Sequence, residues 1–344
     1  MKKHSEHRSA LAVRVVALGG GTGLSSVLRG LKHHVAERRR HGANGANRPI
    51  ADLAAVVTVT DDGGSSGRLR REYSVLPPGD IRNCMVALSA DEHLLGKLFQ
   101  YRFPLGRGLA GHSFGNLFLT ALSNVTGDFA GAVQVSAQVL AIRGRIFPST
   151  AQNVTLEAEL ENGAVVKGET NISRSRKRIV RVRLVPRRVR PLPEVLQAIR
   201  EADLILVGPG SLYTSIIPNL LVEQMAEVIA NSHATRVYIA NLMTQPGETQ
   251  HYSVADHVRA IYDHTGCKIF DFVVINRKPV SRPLLRRYAA QGAAPVDPSL
   301  GELERMGLRY VTGDLLQQDG VVRHDQARLT RLLLNKFVNH RAPR

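Results

Sequence analysis

The feature that most constrains this chain is the repeated placement of glycine-rich polar segments directly after short β-branched runs. Leu11 to Leu18 reads as a buried strand, followed by Gly19-Gly20-Gly21-Thr22-Gly23 and a helix from Thr22 to His34. Leu53 to Thr60 reads as a second strand that ends at Asp61-Asp62-Gly63-Gly64-Ser65-Ser66-Gly67. The pattern recurs at Asp203 to Val207, which runs into Gly208-Pro209-Gly210-Ser211-Leu212-Tyr213-Thr214-Ser215, and at Arg236 to Ala240, which runs into Asn241-Leu242-Met243-Thr244-Gln245-Pro246-Gly247. Ordinary connections need no such series of polar loops.

A helix from Pro218, another near Val254 and a strand from Phe270 to Ile275 continue the alternation. This predicts an α/β fold: a Rossmann-like, doubly wound, mostly parallel sheet with helices on both faces. Helical patterns dominate from Asp80 to about Leu140, with Asp80 and Asn116 placed to cap two of the helices. From 144 to 191 short alternating runs around Asn162-Gly163 predict a small antiparallel β excursion. The chain reads as a single domain over 1–325, then a C-terminal helix and tail over 326–344, the helix running from Gln326 to Asn339.

With 43% hydrophobic residues in 344, the chain has enough apolar material for a large core. No apolar run is long enough to span a bilayer, and Ala10-Leu11-Ala12 precedes the first apolar stretch, the wrong order for a signal-peptide cleavage site. Cys84 and Cys267 cannot build a disulfide framework. A cytoplasmic protein is expected.

The formal charge of +17 favours anionic partners. Much of it sits in a basic loop at about 36–50, around Arg38-Arg39-Arg40, and in the segment from Arg174 to Arg190. In the latter, Val180, Val182 and Leu184 alternate with Arg181 and Arg183, giving a strand with one basic face. That face is either a charged edge protected against aggregation or a nucleic-acid surface, and the absence of interleaved aromatics argues against nucleic acid.

The loops supply the chemistry. Gly20, Gly21, Thr22 and Gly23 can turn backbone N–H groups toward an anion at a helix N-terminus. The second loop departs from a dinucleotide fold, which ends its second strand with one ribose carboxylate. Here Gly63, Gly64, Ser65, Ser66 and Arg68 can bind a phosphate, and Asp61 and Asp62 can hold Mg²⁺ against it or simply close an Asx turn. Pro77-Pro78-Gly79-Asp80-Ile81-Arg82-Asn83 is a stiff turn in which Asp80 serves as an N-cap or Arg82 and Asn83 face a ligand. In Gly111-His112-Ser113-Phe114-Gly115-Asn116, Asn116 either caps its helix or bonds a base or sugar. His112 lacks the spacing of a zinc ligand. Gly208, Gly210, Ser211, Leu212 and Thr214, with Asn241, complete the candidate ligand-binding set.

The order of GGGTGLSSVLRGLK, TVTDDGGSSGRLR, PPGDIRN, GHSFGNLFL, GPGSLYTSIIPNL and NLMTQPGET resembles the CofD-like superfamily, and specifically its YvcK branch of gluconeogenesis factors, from about Val13 to His264. The resemblance implies a Rossmann-like sheet with a site for UDP-N-acetylglucosamine. It also implies a cytoplasmic role in cell shape and cell-wall synthesis on gluconeogenic carbon sources, with morphogenesis proteins as partners.

Two functions compete. The leading one is a UDP-sugar-binding regulator, because the sequence offers no clear nucleophile-base pair and no obligatory cofactor. The alternative is an Mg²⁺-dependent enzyme like the related 2-phospholactate transferases, which Asp61 and Asp62 keep open. Catalytic residues and oligomeric state are not legible in the sequence.

Overall fold

The computed structural model describes residues 12–36, 48–90 and 94–339; the arginines Arg38 to Arg40 of the basic loop lie outside them. The chain runs through β1 (Val13–Gly19), α1 (Gly21–Leu31), β2 (Ile50–Val57), α2 (Gly64–Tyr73), α3 (Gly79–Leu88), α4 (Leu94–Gln100), α5 (Phe114–Thr126), α6 (Phe129–Val139) and β3 (Arg145–Pro148). An excursion follows: β4 (Thr155–Leu160), β5 (Val165–Lys167), α7 (Glu169–Arg174) and β6 (Ile179–Val185). The chain then forms α8 (Pro193–Glu201), β7 (Leu204–Val207), α9 (Ile217–Leu220), α10 (Met225–Ala230), β8 (Thr235–Ile239), α11 (Val254–Thr265) and β9 (Phe272–Asn276). It closes with α12 (Arg282–Ala289), α13 (Leu300–Arg305), β10 (Arg309–Gly313) and α14 (Gln326–Leu333).

The main sheet has seven strands in the order β10-β9-β8-β7-β1-β2-β3, and every neighbouring pair is parallel. All four β7 residues and all of β1 except Arg14 are buried, as strands covered on both faces must be. From β1 the chain steps outward through β2 to β3, then returns to the other side of β1 as β7 and steps the opposite way. Right-handed crossovers therefore place α1 and α3 on one face and α8 and α10 on the other. Within those groups α1 packs on α3 and on α14, and α8 packs on α10. The switch point of the sheet is the β1/β7 pair, where Leu18 lies beside Val207.

Helix signals are local and conventional. Ser253 and Asp256 form a reciprocal capping box on α11, Asp128 caps α6, and α5 and α11 end at Gly127 and Gly266 with positive φ.

Several expectations shift. The second strand lies at Ile50–Val57 rather than Leu53 to Thr60. Its partner β1 ends at Gly19, whose carbonyl accepts the Thr58 N–H at 3.0 Å, and beyond that point neither partner strand continues. The excursion starts after β3, because Arg145–Pro148 pairs with β2 as the edge of the main sheet. Its own sheet is β5-β4-β6, antiparallel, with the turn at Asn162-Gly163 as expected. In β6 the apolar alternation is broken: Ile179, Val182 and Leu184 are buried while Val180 is exposed, because the register shifts at Glu159/Leu160. The last helix stops at Leu333 and finishes as a π turn over Leu334–Val338. No helix of the described residues is long and apolar enough to cross a membrane.

Candidate ligand-binding cleft

Parallel strands end together, so the segments after β1, β2, β7 and β8 meet at one edge of the sheet, around the β1/β7 switch point. Gly20, in extended backbone, leads into α1, and no side chain caps that helix. A Cβ on Gly20 would stand 2.6 Å from Thr58 Cγ2 and 2.7 Å from Asp80 Oδ2; one on Gly23 would stand 2.3 Å from the Pro209 carbonyl oxygen. Both glycines are thus required for close approach of neighbouring segments. Gly21 differs: its φ is +60°, and the nearest atom to an added Cβ is Asp80 Oδ1 at 3.8 Å. Thr22 is exposed in the same turn. Asn219 donates to the carbonyls of Gly19 and Ser215, each at 2.9 Å, and so fastens the β1 loop to the β7 loop.

The Gly63 to Gly67 run is not a flexible loop. Gly64, Ser65 and Ser66 form the first turn of α2, and Gly64 takes φ +47°. Asp61 Oδ1 accepts the Gly63 N–H at 2.8 Å in an Asx turn. Asp62 turns away from it: Oδ1 accepts the backbone N–H and the hydroxyl of Thr170 on α7, at 2.9 and 2.8 Å. The Oδ1 atoms of the two aspartates thus serve different partners, Gly63 for Asp61 and Thr170 for Asp62.

Ser65 Oγ lies 2.9 Å from His112 Nδ1 and accepts from Asn116 Nδ2 at 3.1 Å. A Cβ on Gly79 would stand 2.6 Å from Ser66 Oγ and 2.9 Å from Asp61 Oδ2. Asp80 is not an N-cap; it occupies the second residue of α3, and its carboxylate accepts the Gly21 N–H. Nor does Asn116 cap α5, since Ser113 does so by accepting the Asn116 N–H. The N-terminal turns of α1, α2, α3 and α5 are thus joined through Asp80, Asp61, Ser65 and Ser66.

Arginines line this junction. Arg82 donates to Ser113 Oγ at 2.6 Å and to Asn83 Oδ1 at 2.8 Å, while its Nε and the Asn116 Oδ1 are buried without a hydrogen-bond partner. Arg68 donates to the Ala110 carbonyl at 2.8 Å.

On the β7 side, Gly210 and Asn241 bond reciprocally, Gly210 N–H to Oδ1 at 3.2 Å and Nδ2 to the Gly210 carbonyl at 2.9 Å. Ser211 Oγ accepts from Gln245 Nε2 at 2.9 Å. Gly208 has φ +84°, and a Cβ there would lie 3.0 Å from the Ile239 carbonyl. Leu212 is wholly buried in the core, so only its backbone is available to a ligand. Thr214 is buried; its carbonyl accepts from Thr60 Oγ1 at 3.1 Å and its hydroxyl reaches Glu248 Oε1 at 3.5 Å.

The structure adds acids that the sequence reading did not single out. Glu169, delivered by α7, places Oε2 3.3 Å from Thr60 Oγ1. Glu248, from the loop after β8, accepts from Ser173 at 3.3 Å through Oε1, and its Oε2 is buried without a partner. Burial pushes Glu169 up to about 9, with Asp61, Asp80, Glu248 and Asp62 adding repulsion. Burial likewise raises Glu248 to about 7, and burial with nearby Asp61 raises Asp80 to about 6. Repulsion among buried acids gathered at one sheet edge makes them candidates for a functional site. Glu248 sits within the Asn241–Thr249 motif and was within reach of sequence reasoning. Glu169 was not, because only the folded excursion brings it to the sheet edge.

The fold defines a doubly wound α/β protein whose candidate ligand site gathers helix N-termini and buried carboxyls at the switch point. The model of the family 2-phospho-L-lactate transferase CofD matches residues 15–316. The gluconeogenesis factor of Bacillus subtilis (strain 168) is 47% identical over 323 residues, covering 94% of this chain and 97% of that protein. That of Halalkalibacterium halodurans is 45% identical over 321 residues, covering 93% and 95%. A crystal structure of a UPF0052-family protein from Bacillus halodurans matches with a TM-score of 0.87 at 43% identity, covering 94% of this chain and 99% of that one. The chain belongs to the CofD family, in the branch of the gluconeogenesis factors.

Proposed function

We propose that the cleft binds a nucleotide-sugar of the UDP-N-acetylglucosamine type, and that this cytoplasmic protein relays the ligand's level to cell-wall and morphogenesis proteins, sustaining cell shape on gluconeogenic carbon. The observation that supports the binding half is the junction of the α1, α2 and α3 N-terminal turns at Asp80 and Asp61. Helix N-termini present backbone N–H groups and a positive dipole end, which suit a diphosphate. The name shared by the relatives supports the physiological half.

Asp61 and Asp80 are the residues that would hold Mg²⁺. Among the described residues no group of three His, Cys, Asp or Glu side chains is arranged as a metal cage. That suits an ion that takes one or two carboxylates and completes its shell with water and ligand phosphates. Calorimetric titration with UDP-N-acetylglucosamine, with and without Mg²⁺, tests the reading; no heat at millimolar ligand in either condition refutes it.

A second reading is favoured by Glu169 and Glu248. Carboxyls held up to about 9 and about 7 can exchange protons near neutral pH, as a group-transfer enzyme requires. Incubation with a nucleotide-activated phospholactate and a deazaflavin acceptor, with and without Mg²⁺, tests for turnover.

A further inference from the structure

At the far end of α1 from the cleft lies a groove of about 860 Å³ between α1, the turn Lys32–His34, Pro49 and α14. Its size falls within the range of small-ligand sites. The two helices that wall it are held at a fixed separation: Gly30 of α1 packs so closely on α14 that an added Cβ would lie 2.0 Å from Thr330 Oγ1. Among the described residues, the ionisable side chains lining the groove are basic: Arg29, His33, His34 and Arg331. Asn335 and Asn339 add neutral amide donors and acceptors, and among the described residues the lining includes no Phe, Tyr or Trp. Arginine forks match phosphate oxygens in geometry as well as charge. Amides suit the hydroxyls or bridging oxygens of a small polar ligand.

We propose that this groove is an anion site for a small molecule carrying two or more phosphates, separate from the nucleotide-sugar cleft and independent of that reading. His34 is half-buried: burial lowers its pKa, and the neighbouring His33 and Arg48 lower it further. A bound polyanion reverses the sign of that environment and favours the imidazolium.

The test uses the full chain and inorganic tripolyphosphate as the probe. The imidazole signals of His33 and His34 should move on titration, and the His34 titration midpoint should rise by at least about half a pH unit at saturation. Arg29→Gln with Arg331→Gln should weaken tripolyphosphate binding by about tenfold or more, as expected for lost charge-assisted bonds. The same variant should keep the wild-type melting temperature and its affinity for UDP-N-acetylglucosamine. Unmoved imidazole signals at millimolar tripolyphosphate, or undiminished binding by the folded double variant, overturn the proposal.

Discussion

Asp62 accepts two hydrogen bonds from Thr170, one from the backbone N–H at 2.9 Å and one from the hydroxyl at 2.8 Å, across 108 residues of sequence. One carboxylate thereby ties the segment after β2 to the first turn of α7 in the antiparallel excursion. The tie also sets where Glu169 stands, one residue before Thr170. Asp62→Ala should therefore cost about 1–3 kcal/mol, the range for a lost cap that leaves a donor unsatisfied. Hydrogen exchange should accelerate in α7 more than in α1, and equal protection of α7 in the variant would show that the tie is dispensable.

The buried acids predict how stability changes with pH. Glu169 and Glu248 titrate higher in the folded protein than the ordinary 4.5, at about 9 and about 7. Between 4.5 and those values the unfolded chain has released protons that the folded chain retains, so raising the pH favours unfolding. From these groups, stability should be greatest at and below about pH 4.5 and fall through pH 7 and on to pH 9. Glu169→Gln should flatten the decline, with a higher melting temperature than wild type at pH 8 and little difference at pH 5. A variant curve parallel to wild type across that range contradicts the assignment.

Legibility in the sequence followed the range of the interactions. The strand-loop-helix alternation, the hairpin at Asn162-Gly163 and the glycine clusters were readable because each depends on a few adjacent residues. Element order then placed the loops at one sheet edge. Strand limits such as Ile50–Val57 were not readable, since they are set by where β1 stops. The role of Asp62 was hidden for the same reason: its partner Thr170 arrives by tertiary folding. Asp80 resembles a cap in sequence, yet it serves the neighbouring helix α1 by accepting from Gly21.

The glycines of the first loop should separate fold from ligand binding. Gly23→Ala sets a Cβ against the Pro209 carbonyl at 2.3 Å, main chain against side chain at the switch point, and should cost several times the ~1 kcal/mol of an ordinary glycine change. Gly21→Ala meets open space beside Asp80, so its cost is that of the left-handed backbone, about 1–2 kcal/mol, and the protein should fold. Gly21→Val, which is β-branched at φ +60°, should cost more than Gly21→Ala while still folding, and should abolish UDP-N-acetylglucosamine binding. Melting temperatures rank the three variants. A Gly23→Ala protein as stable as Gly21→Ala would show that β1 and β7 tolerate separation at their ends.

The last prediction concerns the metal. Asp61 lies within the junction of helix N-termini, and Asp62 is engaged by Thr170. The adjacent aspartates should therefore behave differently. Asp61→Ala should weaken UDP-N-acetylglucosamine binding about tenfold or more when Mg²⁺ is present and by less when it is absent, because a carboxylate that helps hold the ion acts only through it. Asp62→Ala should instead change affinity by the same factor with and without Mg²⁺, since its effect travels through the position of α7. Arg181, exposed on the excursion's β6, should change neither affinity when replaced by alanine. Calorimetry on the three folded variants in both conditions decides the matter. Equal Mg²⁺ dependence of Asp61→Ala and Asp62→Ala would return the two aspartates to a shared role that their observed hydrogen bonds do not support.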